Sequence, residues 1–141
     1  MKALVVDASV AIKWFIPEIH AISAARLLKA NVKLIVPDLI FAEVGNILWK
    51  KCRLKELTLS MATDILNDFS RLPFECYLNE TLLETAWKIA IKYQCTVYDS
   101  LYLALAQQEG SPLVTADRVF YNNLQNSPLA TLLLWVEDIK Q

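Results

Sequence analysis

The sequence predicts an α/β fold, a three-layer sandwich with a central parallel sheet. Three observations carry that expectation. Short, continuously apolar runs such as Ala3-Leu4-Val5-Val6 and Leu113-Val114-Thr115 have the form of strands covered on both faces. Longer segments with apolar residues at helical spacing separate them, and strands alternating with helices favour parallel pairing. At 141 residues and 55% hydrophobic content, with no linker, repeat or low-complexity stretch, the chain reads as a single domain over 1–141.

Residues 3–6 form the first strand. Asp7-Ala8-Ser9 then turns the chain into a helix that begins near Val10, with Ser9 as its cap, and stops at Pro17. A second helix covers about 18–30, where Ala21, Ala25 and Leu28 share an apolar face. Val32 to Val36 is a strand ended by Pro37, and Pro37 also opens a helix running to about Lys51. Gly45 inside that helix costs about 1 kcal/mol relative to alanine, which implies a close packing partner. Thr58 or Ser60 starts the next helix, ending near Leu72-Pro73, and Phe74 to Leu78 is a short strand.

The segment of about 80–93 is helical, with Leu82, Leu83, Ala86, Ile89 and Ala90 at helical spacing. Thr96-Val97-Tyr98-Asp99 has the form of a capping box and begins a strongly apolar helix ended by Gly110. Leu113 to Thr115 is a strand, Asp117 to Asn123 a short helix, and Thr131 to Val136 a last strand. Trp14-Phe15-Ile16 reads as core, with a partner-docking surface as the alternative.

Composition excludes several classes. A net charge of −1 gives no global basic field, so contact with nucleic acid must come from a local patch. Cys52, Cys76 and Cys95 are odd in number and far apart, which fits neither a disulfide framework nor a zinc site and suits a reducing compartment. Two glycines allow no G-x-G-x-x-G or Walker loop, and the single histidine, His20, has no triad partners. No apolar run reaches the about 18 residues of a membrane span, and charge interrupts the first residues too soon for a secretory signal. The expected location is cytoplasmic, with no membrane partner.

Four acidic residues stand out because each borders an apolar run: Asp7, Glu43, Asp99 and Asp117. Lone charges there are costly unless compensated. Gathered in one place, they would need raised pKa values, arginine partners or a bound divalent metal. In open parallel sheets ligands bind beyond the carboxyl ends of the strands, where Asp7 and Asp117 fall and over which the helices of Glu43 and Asp99 can lean. Each also has a plain structural reading. Asp99 closes the capping box, Asp117 caps a helix, Asp7 forms a turn with Ser9, and Glu43 sits on a solvated face. Joint placement beside one sheet edge is what separates the two readings.

The ordered set Val5-Val6-Asp7-Ala8-Ser9, Pro37-Asp38-Leu39-Ile40-Phe41-Ala42-Glu43-Val44-Gly45-Asn46, Tyr98-Asp99-Ser100-Leu101-Tyr102-Leu103-Ala104-Leu105-Ala106 and Leu113-Val114-Thr115-Ala116-Asp117 resembles the PIN-domain family. Within it, the set resembles the VapC-type toxins of prokaryotic toxin–antitoxin pairs. The resemblance covers essentially the whole chain. It implies a Mg²⁺- or Mn²⁺-dependent ribonuclease site at Asp7, Glu43, Asp99 and Asp117, with supporting polar residues at Ser9 and Thr115. It also implies an antitoxin whose C-terminal part wraps the toxin and obstructs the site, and a homodimer.

The chemistry of the residues agrees, since clustered carboxylates suit hard, oxygen-seeking ions that activate water for attack on an RNA phosphodiester. Lys50, Lys51, Arg53 and Lys55 form the densest basic stretch, either a solvated helix end or a phosphate-positioning patch. Lys13 and Arg118 lie close in sequence to Asp7 and Asp117 and are further candidates for RNA contact.

Two rivals remain at this level. An aspartyl-nucleophile phosphohydrolase would carry Asp-x-Asp after the first strand, whereas the triplet here is Asp7-Ala8-Ser9. A PIN-like RNA- or protein-binding module would not need four adjacent carboxylates.

Overall fold

A computed structural model describes residues 2–139 of the chain. Five strands, β1 (Lys2–Val6), β2 (Val32–Pro37), β3 (Glu75–Tyr77), β4 (Leu113–Thr115) and β5 (Leu133–Trp135), pair in parallel in the order β3-β2-β1-β4-β5. Among the described residues seven helices flank them: α1 (Ala8–Ala11), α2 (Ala21–Lys29), α3 (Leu39–Arg53), α4 (Leu59–Ser70), α5 (Asn79–Tyr93), α6 (Val97–Glu109) and α7 (Arg118–Asn123). Successive strand residues point to opposite faces, and Val5, Val6, Leu113 and Val114 are all fully buried. The sheet is therefore covered on both sides, as the apolar runs require.

The covering is clearest at α6. Seven consecutive residues, Ser100–Ala106, are buried around its whole circumference, because α6 lies against β1, β2 and β4 while α5 packs on its outer side. Fully burying a side chain such as Leu103 or Leu105 contributes about 1.5–3 kcal/mol. Thr96 caps this helix, its Oγ1 accepting from Asp99 N at 3.0 Å, and Gly110 ends it at φ 61°. Trp14-Phe15-Ile16 is part of the packed interior. Trp14 stacks on Phe74 and donates to the Ala24 carbonyl at 2.8 Å, and Phe15 meets Phe69 edge-on.

Several boundaries differ from the sequence expectation, each for a physical reason. Asp7, not Ser9, caps α1, its carboxylate accepting from Val10 N at 3.2 Å. Pro37 closes β2 rather than opening α3, and the second helix is shorter than 18–30, spanning Ala21–Lys29. The cap of α3 arrives from elsewhere in the chain. Leu39 N donates to Asn79 Oδ1 at 3.1 Å, while Asn79 N donates to Asp38 Oδ1 at 2.8 Å, so α3 and α5 cap one another. Gly45 has no close packing partner, since a Cβ there would meet nothing within 4 Å. The last strand starts late because Pro128–Leu132 winds into a 3-10 turn before β5.

From β1 the sheet grows through β2 to β3, and the chain then returns to place β4 on the other side of β1. That reversal opens a crevice at the carboxyl ends of β1 and β4.

Candidate active site

Asp7 and Asp117 follow the two strands that flank this crevice, and both are caps, Asp7 for α1 and Asp117 for α7. Asp117 Oδ1 accepts from Phe120 N at 3.1 Å. The structural and the site readings of these residues therefore coexist, each leaving carboxylate oxygen free. Glu43 leans in from the second turn of α3, and Asp99 from the first turn of α6. All four line one cavity of about 530 Å³, together with Ser9, Asn46, Tyr98 and Tyr102. No lysine, arginine or histidine among the described residues lines it. Arginine partners, one of the three ways to tolerate clustered acids, are thus excluded.

The electrostatics follow from that placement. Burial pushes the Asp7 carboxyl up from its ordinary 3.8 to about 6, against the Ser9 and Thr115 hydroxyls and Val10 N–H that favour its charged form, with Asp99 adding to the rise. Burial likewise raises Glu43, opposed by the Tyr102 hydroxyl and reinforced by Asp99. Asp99 is raised first by burial and then by Asp117. Asp99 is the common neighbour through which the set is coupled.

Hydroxyl groups brace the acids. Ser9 Oγ donates to Asp7 Oδ1 at 2.5 Å and accepts from Ala116 N at 3.0 Å, tying the start of α1 to the loop after β4. Thr115 is fully buried beneath the cavity, and its Oγ1 accepts from Asp117 N at 3.1 Å. The Tyr102 hydroxyl donates to Glu43 Oε1 at 2.5 Å from a side chain that is itself buried. Sequence reasoning missed Tyr102 and Asn46. Their signal was spacing, since Tyr102 stands three residues after Asp99 on α6, and Asn46 three after Glu43 on α3.

The donor set fits a hard divalent ion. Among the described residues the candidate ligands facing the cavity are oxygens, as Mg²⁺ and Mn²⁺ prefer. Among the described residues no three acidic, histidine or cysteine side chains are close enough together to hold a metal ion between them. Mg²⁺ does not need three, because it retains several waters and is held through one or two carboxylates.

None of the basic candidates lines the cavity. The Lys13 and Lys51 ammonium groups pair with Glu18, at 2.9 and 3.7 Å. Arg53 lies over Trp49 at 5.2 Å, and Arg118 over Trp135 at 3.7 Å. Lys50 is exposed at the end of α3. His20, without a site role, bonds through Nδ1 to Glu137 and packs edge-on against Trp135.

The PIN-domain family model matches residues 4–123. This chain belongs to the PIN-domain family. Among curated relatives, this PIN protein is 36% identical over 119 residues to Ribonuclease VapC3 of Pyrobaculum aerophilum, covering 82% of this chain and 89% of that one. It is 32% identical over 114 residues to Ribonuclease VapC9 of Mycobacterium tuberculosis, covering 81% and 85%. Among solved structures it superposes on PAE2754 from Pyrobaculum aerophilum with a TM-score of 0.69 at 26% identity, covering 97% of this chain and 85% of that one. A toxin–antitoxin complex from Klebsiella pneumoniae, at TM-score 0.63 and 16% identity over 96% and 99% of the chains, shares the fold. Among the described residues no helix is long and apolar enough to cross a membrane.

Proposed function

We propose that this PIN protein is a metal-dependent endoribonuclease, the toxin of a toxin–antitoxin pair, with residues 1–141 as one PIN-like domain. The observation that carries the reading is the cavity at the carboxyl end of the sheet, which four carboxylates line and, among the described residues, no cationic side chain does. Asp7, Glu43, Asp99 and Asp117 would hold Mg²⁺ or Mn²⁺. Bound there, the ion supplies an activated water and neutralises charge developing on the phosphodiester.

The chain's own residues do the rest. Ser9 and Thr115 fix Asp7, and Tyr102 fixes Glu43, so the oxygens are aimed before substrate arrives. The exposed end of α3, with Lys50 and Arg53, is the nearest source of sequence-independent phosphate contact on that helix.

The relatives' names support the ribonuclease reading, and a structure that shares the fold is a toxin–antitoxin complex. An antitoxin segment covering the cavity, a homodimer and a cytoplasmic location complete the proposal. The test is cleavage of a defined mixture of structured and single-stranded RNAs by purified protein, with Mg²⁺, with Mn²⁺ and with excess chelator. Cutting that depends on the ion supports the nuclease. Undiminished cutting in chelator refutes the metal, and RNA binding without cutting in any ion refutes the enzyme in favour of a binding module.

A further inference from the structure

A second cavity of about 230 Å³ opens beside the acidic one, and Asp99 and Asp117 form the wall between them. Its other residues come from the junction of α5 and α6 and from α7, among them Gln94, Cys95, Thr96 and Asn123. Two of its polar groups are already committed. The Thr96 hydroxyl caps α6 at 3.0 Å from Asp99 N, and the Cys95 thiol donates to the Tyr93 carbonyl at 3.7 Å. Besides the two carboxylates and Tyr93, a pair of exposed carboxamides remains, those of Gln94 and Asn123. Gln94 sits in the left-handed region at φ 57° in the tight α5–α6 turn, which fixes where its side chain leaves the backbone. Phe120 and Leu124 give the cavity an apolar floor.

This chemistry does not suit a phosphate. Among the described residues no lysine or arginine lines the cavity, and two carboxylates face it. It suits the base of a nucleotide. An apolar floor takes the ring, and a carboxamide offers a donor and an acceptor side by side, the pattern of a base edge. Single-stranded RNA is read in this way, with unstacked bases turned out of the strand and bonded along their edges. The volume lies below the about 300–1,000 Å³ of pockets that hold drug-sized ligands, in keeping with one ring system.

We propose that this cavity receives the base of a nucleotide flanking the cut, and that Asn123 and Gln94 read its edge. The inference rests on the ribonuclease reading of the adjoining acidic cavity. It makes the protein's choice of cut site depend on two residues that do not touch the reacting phosphate.

The experiment cleaves a single-stranded RNA carrying a randomised segment, with Mg²⁺ or Mn²⁺, and sequences the new ends. Wild type is compared with Asn123→Ala, Gln94→Ala and Asn123→Asp. The expected result is a base preference at one position beside the cut, weakened about tenfold in either alanine variant. Asn123→Asp, which keeps an acceptor and loses the donor, shifts the favoured base instead of erasing the preference. An unchanged preference in all three variants, or a wild type without one, overturns the inference while leaving the nuclease intact. Absence of metal-dependent cutting in wild type is a failure of the nuclease reading and removes the inference with it. Binding of A, C, G and U pentamers to Asp7→Asn protein, with and without Asn123→Ala, gives a second readout. Equal affinity for all four bases overturns the proposal there too.

Discussion

Replacing Asp7 by asparagine should inactivate the protein and, without metal, make it more stable. Asp7 is only 9% exposed, and burial lifts its carboxyl from 3.8 to about 6. Between those values the folded state binds a proton that the unfolded state has released, so stability falls as pH rises through the interval and is lowest above it. The difference amounts to about 3 kcal/mol at pH 7. An asparagine side chain at this position would carry no charge to bury and could still accept from Val10 N, so the cap of α1 survives. In a chain of this size the gain is a rise of roughly 10 °C in Tm.

The assay is urea and thermal denaturation of both proteins in chelator, from pH 4 to pH 8. The two should nearly coincide at the acid end, separate between about pH 4 and 6, and stay apart above it. Saturating Mg²⁺ or Mn²⁺ should then narrow the gap by stabilising wild type selectively, since a ligand that binds only the folded state adds stability by mass action. A variant no more stable than wild type at pH 7, or a gap of equal size at pH 4, would refute the view of Asp7 as a destabilised buried charge.

Three further outcomes follow from particular contacts. Tyr102→Phe removes the hydroxyl given to Glu43 and leaves the ring in place, so it should cost about 1–3 kcal/mol in stability and raise the Mg²⁺ concentration for half-maximal binding, read by titration calorimetry. Gly45→Ala should add about 1 kcal/mol in urea denaturation, because the helix gains alanine's propensity and a Cβ meets nothing within 4 Å. Asn79→Ala strips the cap that α3 takes from α5 and should cost about 1 kcal/mol by the same method.

What could be read in the sequence was whatever short-range physics decides. The apolar runs of β1 and β4, the all-round apolar α6 and its Thr96 and Gly110 ends depend on neighbouring residues, and they stand where the pattern puts them. The four acids were legible for the same reason, as charges abutting apolar runs. The missed features are long-range. The cap of α3 comes from Asn79, 40 residues away, so Pro37 could not reveal where the helix begins. Lys13 and Lys51 meet at Glu18 and are partly buried there, and Arg118, though exposed, lies over Trp135, partners that their sequence neighbours do not suggest. Tyr102 stands within the apolar run of α6, and only its hydrogen bond to Glu43 gives it a second part.

The most direct measurement is RNA cleavage by Asp7→Asn, by Asp99→Asn and by the double variant, in Mg²⁺ and in Mn²⁺. Carboxylates that hold the ion as one unit are not additive. Each single change should lower the rate by about 100-fold or more, and the double variant should be little worse than either. Cleavage that survives in Asp99→Asn, or losses that simply multiply in the double variant, would contradict a single metal centre built from these acids.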